Sequence, residues 1–323
     1  MKTLKKIALE EAFTAPGLEK YLERTFELVT DRKPRAALQG LLEDLSDRRI
    51  AAMDEAGIDL FVLSQTSPGV QVESDAATAV RLARSANDFL HSQIELHPTR
   101  YRGFAHLAMQ DVSAAADELE RCVRDLGFLG ALINGNTNGV YLDDERYFPF
   151  WERALDLGVP IYIHPADPFV QPHVLDGYPE MQGAVWGWST DNSSHFLRLL
   201  FGGVFDRYPQ LTIVLGHMGE TLPYFAWRID GRYALTEQGQ GHKLAKKPSE
   251  YFRSNLIVTT TGVCQDSALL CALAELGDDR VVFSVDYPYE ETKEAADWID
   301  RAPIGTDQRE KICYRNAQRV LHL

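Results

Sequence analysis

Four residues with metal-binding or acid–base chemistry stand at the ends of short apolar, β-branched runs. They are Glu10 in "IALEEAF", His164 in "IYIHP", His217 in "VLGHMG" and Asp286 in "FSVDYP". Each alone reads blandly, as a helix-capping carboxylate or a histidine satisfied in a core. Together they form a mixed oxygen and nitrogen set that suits a hard or borderline divalent cation. Without such a partner the carboxylates would be costly to bury. Successive strand residues point to opposite faces. That alternation puts the bulky Ile7, Leu9, Glu11 and Phe13 on one face, toward outer helices, and Ala8, Glu10 and Ala12 on the other. Glu10 is therefore expected inside, and Glu11 outside against a helix, water or a basic partner. By the same rule Tyr162 and His164 share a face, as do Leu215 and His217, and Ser284 and Asp286.

Residues so placed need strands that converge. Eight apolar runs are present: 6–13, 58–65, 101–109, 129–136, 159–165, 211–219, 255–262 and 280–288. Amphipathic segments such as 43–56, 73–97, 112–126 and 145–158 alternate with them, which is the signature of a parallel sheet. Eight strand–helix units in a chain of 323 residues predict a (β/α)8 TIM barrel, with chemistry at the C-terminal strand ends. A doubly wound sheet is the other reading and gives no reason for eight units. No linker or low-complexity tract divides the chain, so residues 1–323 read as one domain. Residues 166–190, with three prolines and Trp186 and Trp188, form a long insert after the fifth strand. It is either an irregular surface insert or a lid over the C-terminal mouth.

Composition excludes several classes. A net charge of −14 argues against nucleic acid or an anionic membrane as partner. No run approaches the length needed to span a bilayer, and acids interrupt the apolar part of the N-terminus, unlike a signal peptide. Cys122, Cys264, Cys271 and Cys313 lack CxxC spacing and suit a reducing, cytoplasmic compartment.

The stretches "ALEEAF", "YIHP", "GHMGE.LPY..WRID" and "FSVDYPYE" resemble the amidohydrolase superfamily, in its branch of non-oxidative aromatic acid decarboxylases. That branch acts on 2,6- and 2,3-dihydroxybenzoate, salicylate and 5-carboxyvanillate. The resemblance implies metal ligands at Glu10, His164 and Asp286, with His217 either a fourth ligand or a catalytic group oriented by Glu220. It implies one divalent ion, Mn first and Zn or Mg otherwise, and no organic cofactor. The substrate would be a small aromatic carboxylic acid. Asp286 would protonate the ring carbon with help from His217, and CO2 would leave, a step that can in principle run in reverse. Arg228 of "WRID" matches an arginine that reaches a neighbouring subunit's site and binds the substrate carboxylate, so a homodimer or homotetramer is implied. Arg35, Asn134 and Trp188 are further candidates for substrate contact, and His106 and His195 for supporting roles near the site. Many superfamily members carry His-x-His on the first strand; here the second position is Ala12.

Two other readings compete with the decarboxylase. One is a metal-dependent hydrolase or hydratase on the same barrel, acting on a lactone, amide or enol. The other is a barrel that has lost catalysis and only binds, a reading that the missing histidine at position 12 alone favours.

Overall fold

The computed structural model describes residues 4–23, 26, 34–236 and 241–323. Among the described residues, eight parallel strands appear in chain order: β1 (Ile7–Phe13), β2 (Leu60–Gln65), β3 (Tyr101–Gly103), β4 (Ala131–Asn134), β5 (Ile161–His164), β6 (Ile213–Leu215), β7 (Leu256–Thr259) and β8 (Val281–Val282). Among the helices between them are α1 (Arg35–Glu43), α2 (Asp47–Ala56), α3 (Ala76–Leu96), α4 (Val112–Arg124), α5 (Phe148–Leu157), α6 (Gly187–Phe201), α7 (Leu222–Tyr233) and α8 (Asp266–Leu276). This is the (β/α)8 barrel expected from the periodicity, although every strand is shorter than its apolar run.

The helices follow local signals. Asp75 and Asp111 cap α3 and α4, accepting the N–H groups of Thr78 and Ala114 at 2.9 and 3.0 Å. Ala79, Ala83, Ala86 and Leu90 form the buried stripe of α3, spaced by three and four residues.

Two apolar layers result. Ile7, Leu9, Leu60, Val62, Phe104, Leu132, Tyr162, Val214, Ile257 and Val282, at least one from each strand or its extension, pack together inside the ring. Ala8, Phe61, Ile133, Ile163, Leu215, Val258 and Phe283 pack outward against the helices. The expected facing of β1 is thus reversed in its first half, where Ile7 and Leu9 fill the interior and Ala8 faces out. A bulge reconciles this with an inward Glu10. Ile7 and Ala8 pair with Leu60 and Phe61, but Glu11 pairs with Leu63, so Leu9 and Glu10 together oppose Val62. The extra residue shifts the phase of the strand.

The strand ladder is not continuous round the ring: β1–β3 form one sheet and β4–β8 another. At one junction an Ala105–Ala131 bridge links them, with Leu132 donating to the Ala105 carbonyl at 3.1 Å. At the other, side chains stand in for the ladder. Ser284 Oγ accepts the N–H groups of Leu9 and Glu10 at 3.1 and 2.7 Å. The Glu11 carboxylate accepts Ser284 Oγ–H, Val285 N–H and Tyr287 N–H at 2.9, 3.0 and 3.0 Å. Glu11 is fully buried on these donors, with the buried Arg49 acting on it electrostatically, so of the expected surroundings water is ruled out and a basic partner is present.

The insert after β5 carries three single helical turns, at His173–Leu175, Pro179–Met181 and Gly183–Val185. It ends at Trp186 and not at 190, because α6 begins at Gly187.

Candidate metal centre and active site

Glu10 on β1, His164 at the end of β5 and Asp286 after β8 each offer one ligand atom, and those atoms lie within 4.8 Å of one another. Glu10 Oε1 stands 3.3 Å from His164 Nε2 and has no hydrogen-bond partner although it is buried. His164 Nδ1 lies 2.7 Å from the Pro165 carbonyl oxygen, so it carries the ring proton there and leaves Nε2 a lone pair. Two electron-pair donors facing each other across a buried gap fit a cation. The residues present therefore suit a divalent metal ion of the kind that carboxylate and imidazole bind.

The other oxygen of Glu10 is held from below. Tyr162 O–H donates to Oε2, Tyr162 and Thr259 hydroxyls are 2.9 Å apart, and Thr259 and Thr261 hydroxyls 2.7 Å. Gly216 closes the third side: a Cβ there would sit 2.6 Å from Glu10 Oε2 and 3.2 Å from the Tyr162 oxygen. Its φ of −69° asks for no glycine, so the residue is needed for space. Burial pushes the Glu10 carboxyl above its ordinary value, against the pull of the cationic His217.

His217 follows that glycine and opens a run of left-handed residues, with φ of 50° at His217, 56° at Met218, 53° at Glu220 and 74° at Thr221. Four non-glycine residues in this region are costly, and such strain persists only where the surroundings over-determine it. Here the run turns the His217 side chain back so that Nδ1 meets Glu220 Oε1 at 2.7 Å. Glu220 is buried and also accepts Ser189 Oγ–H at 2.6 Å and Asn192 N–H at 3.1 Å. Burial alone would depress His217, but Glu220, Asp286 and Glu10 outweigh it and hold the imidazole well above the usual histidine range. Burial would likewise raise Glu220; His217 and the hydroxyl and amide donors hold it below the glutamate range. His217 Nε2 lies 3.9 Å from Asp286 Oδ2, and His217 is not one of the three clustered ligands.

A cavity of about 580 Å³ opens among the loops that follow β1, β2, β4 and β5. Asn134 and Trp188 line it, as do Asp167 and Phe169 from the start of the insert, so the insert does reach the mouth. Asn134 Oδ1 is buried without a partner, and Trp188 Nε1 donates to Asp167 Oδ1 at 2.8 Å. Arg35 does not line it. It is exposed at the start of α1 and donates to the carbonyl of Glu23, a lining residue, at 3.0 Å. Arg228 does not line it either and is exposed on α7 beside Trp227, itself 83 % exposed.

His106 and His195 are not in the metal cluster. Their Nε2 atoms accept the N–H groups of Val70 and Leu142 at 3.0 and 2.9 Å, and both rings are buried neutral struts. Sequence reasoning placed Thr259 to Thr261 at a strand end but passed over Tyr162, Ser189 and Asn192 as site residues. Alternation had already put Tyr162 on the face of His164; Ser189 and Asn192 lie on α6 with no local signal.

Known proteins resemble this chain in sequence and fold. The profile of a family described as amidohydrolase matches residues 32–323. The γ-resorcylate decarboxylase of Polaromonas sp. strain JS666 is 43 % identical, over 98 % of both chains. A solved dihydroxybenzoic acid decarboxylase of Polaromonas sp. JS666, with bound manganese and the inhibitor 2-nitroresorcinol, superposes with a TM-score of 0.92. It is 42 % identical, with 99 % of this chain and 97 % of that one covered. The 5-carboxyvanillate decarboxylase of Sphingomonas paucimobilis has a TM-score of 0.92 at 38 % identity, over 99 % of this chain and 100 % of that one.

Proposed function

The chain belongs to the amidohydrolase family, and from that premise we propose that it is a metal-dependent, non-oxidative decarboxylase of an ortho-hydroxybenzoate. The observation that carries the reading is the partnerless Glu10 Oε1 facing His164 Nε2 beside Asp286. The likeness to manganese-bearing hydroxybenzoate decarboxylases supports manganese as the ion. Glu10, His164 and Asp286 would hold it, and it would supply Lewis-acid stabilisation for a substrate's phenolate and carboxylate.

The chain's own residues do the rest. Asp286 delivers a proton to the ring carbon that bears the carboxylate; the C–C bond then breaks, its electron pair restores the aromatic ring, and CO2 departs. His217, kept cationic and oriented by Glu220, stabilises negative charge beside Asp286. Asn134 and Trp188 bound the space for the ring. The hydratase or hydrolase alternative lacks comparable support. The position where a histidine would add a nitrogen ligand is Ala12, packed among Leu22, Leu38 and Leu42.

We also assign Arg228 to a neighbouring subunit's site in a homodimer or homotetramer. Tyr224 and Trp227, exposed on the same helix, form the kind of apolar surface that a second copy covers. Among the described residues no helix is long and apolar enough to cross a membrane, and we place the enzyme in the cytoplasm, where its four free cysteines stay reduced. The test is CO2 release from 2,6-dihydroxybenzoate, 2,3-dihydroxybenzoate, salicylate and 5-carboxyvanillate after reconstitution with Mn, Zn or Mg. Absence of turnover on all four would overturn the reading.

A further inference from the structure

Glu11 is a fully buried carboxylate that the chemistry above does not use. Its two oxygens take the N–H groups of Val285 and Tyr287, the residues on either side of Asp286, each at 3.0 Å. Asp286 has φ of 87°, a left-handed conformation that a non-glycine residue holds only when its neighbours fix it. A backbone ladder cannot do this, because paired strand residues are extended, and β8 accordingly ends at Val282. Further bonds pin the same segment: Gly262 N–H meets the Val285 carbonyl at 3.3 Å, Tyr289 N–H the Asp286 carbonyl at 2.8 Å, and Ala12 N–H the Tyr287 carbonyl at 2.7 Å.

We propose that Glu11 is a positioning residue for Asp286: its carboxylate clamps the two flanking peptides and so holds the aspartate in the strained conformation that turns it to the metal and substrate. A barrel that needed only closure would add backbone pairs at this seam, like that of Ala12 and Tyr287, and bury no carboxyl group. The adjacent acids of β1 then divide the work, Glu10 ligating directly and Glu11 aiming the ligand opposite. This rests on the reading of Asp286 as a ligand.

The test uses Glu11→Gln, which keeps the shape but sets an amide NH2 against one of the donors, and compares it with the wild-type chain, Asp286→Asn, Asp286→Gly and the double variant Glu11→Gln/Asp286→Gly. Manganese affinity is read by electron paramagnetic resonance, and stability by urea midpoint. Glu11→Gln is expected to bind Mn(II) roughly tenfold or more weakly. It is also expected to lower the midpoint more in the Asp286 chain than in the Asp286→Gly chain, because glycine adopts positive φ freely. If Glu11→Gln does not fold, the double variant is expected to recover the fold. Equal midpoint losses in both backgrounds, an unchanged manganese affinity, or failure of both Glu11→Gln chains to fold would overturn the proposal. An Asp286→Asn chain that binds manganese like wild type would instead refute the ligand reading, and the midpoint comparison would still decide the clamp.

Discussion

His164 Nε2 faces Glu10 Oε1 across 3.3 Å, and the proton of the imidazole is engaged on the other side of the ring by the Pro165 carbonyl. A lone pair and an anionic oxygen at that separation repel unless a cation lies between them. Removal of divalent ions by a chelator should therefore cost stability as well as activity. Returning manganese at a hundred times its dissociation constant should restore about 2.7 kcal/mol. Glu10→Gln and His164→Ala should lose that thermal shift. A melting temperature indifferent to chelator and manganese in the wild-type chain would show that no ion binds there.

Tyr162 and Gly216 should prove as telling as the ligands. Removing the hydroxyl in Tyr162→Phe leaves Glu10 Oε2 with Thr259 at 3.5 Å, so the carboxylate can rotate. Metal affinity should fall roughly tenfold, the size usual for a group that orients a ligand. At saturating manganese kcat should recover, which separates the effect from a catalytic one. Gly216→Ala places a methyl against the same oxygen and should not be rescued by added metal. Titration of each apo-protein with Mn(II) decides both.

Much of this centre is legible in the sequence, and the misses have physical causes. Glu10, His164 and Asp286 stand out because acids and histidines end apolar runs, and β5 keeps the alternation that aligns Tyr162 with His164. Glu10 was placed inside by an alternation that fails at Ala8 and Leu9. The bulge that rescues it depends on Ser284, 274 residues away, taking the N–H of Glu10. Glu11 could be read only in part, because its hydrogen-bond partners belong to the last strand segment, which no local pattern reports. The ends of the third and eighth runs fail for a related reason. They carry apolar residues that suit a strand, but tertiary bonds to side chains and loops replace the ladder there.

His217 and Glu220 should affect turnover without removing the metal. His217→Asn deletes the charged ring beside Asp286 and should lower kcat by about 10²–10⁴, the range for loss of a positioned acid–base group. Glu220→Gln leaves His217 without its anionic partner and should lower kcat by a smaller factor, on the order of tenfold, with manganese content near one per chain. Metal analysis alongside kcat on the substrate found active makes the check. Loss of bound manganese in His217→Asn would make His217 a fourth ligand.

The two buried histidines outside the cluster set an acid limit on the fold. Burial pushes His106 and His195 down to about 3, and each ring nitrogen facing a backbone N–H must stay unprotonated to accept it. In the unfolded chain both titrate near their ordinary value of about 6.5, so below that pH the unfolded state binds more protons than the folded one. The stability they support is thus complete above about pH 6.5 and is lost progressively as pH falls toward about 3. Each histidine should cost about 1.4 kcal/mol per pH unit across that window, or ~2 kcal/mol each at pH 5. Urea unfolding at pH 7 and pH 5, with divalent ions chelated so that metal release does not contribute, measures the slope. His106→Gln and His195→Gln, whose amide oxygens can still accept the Val70 and Leu142 N–H groups, should each flatten it. An unchanged slope in the double variant would mean that these two rings are not what ties the fold to neutral pH.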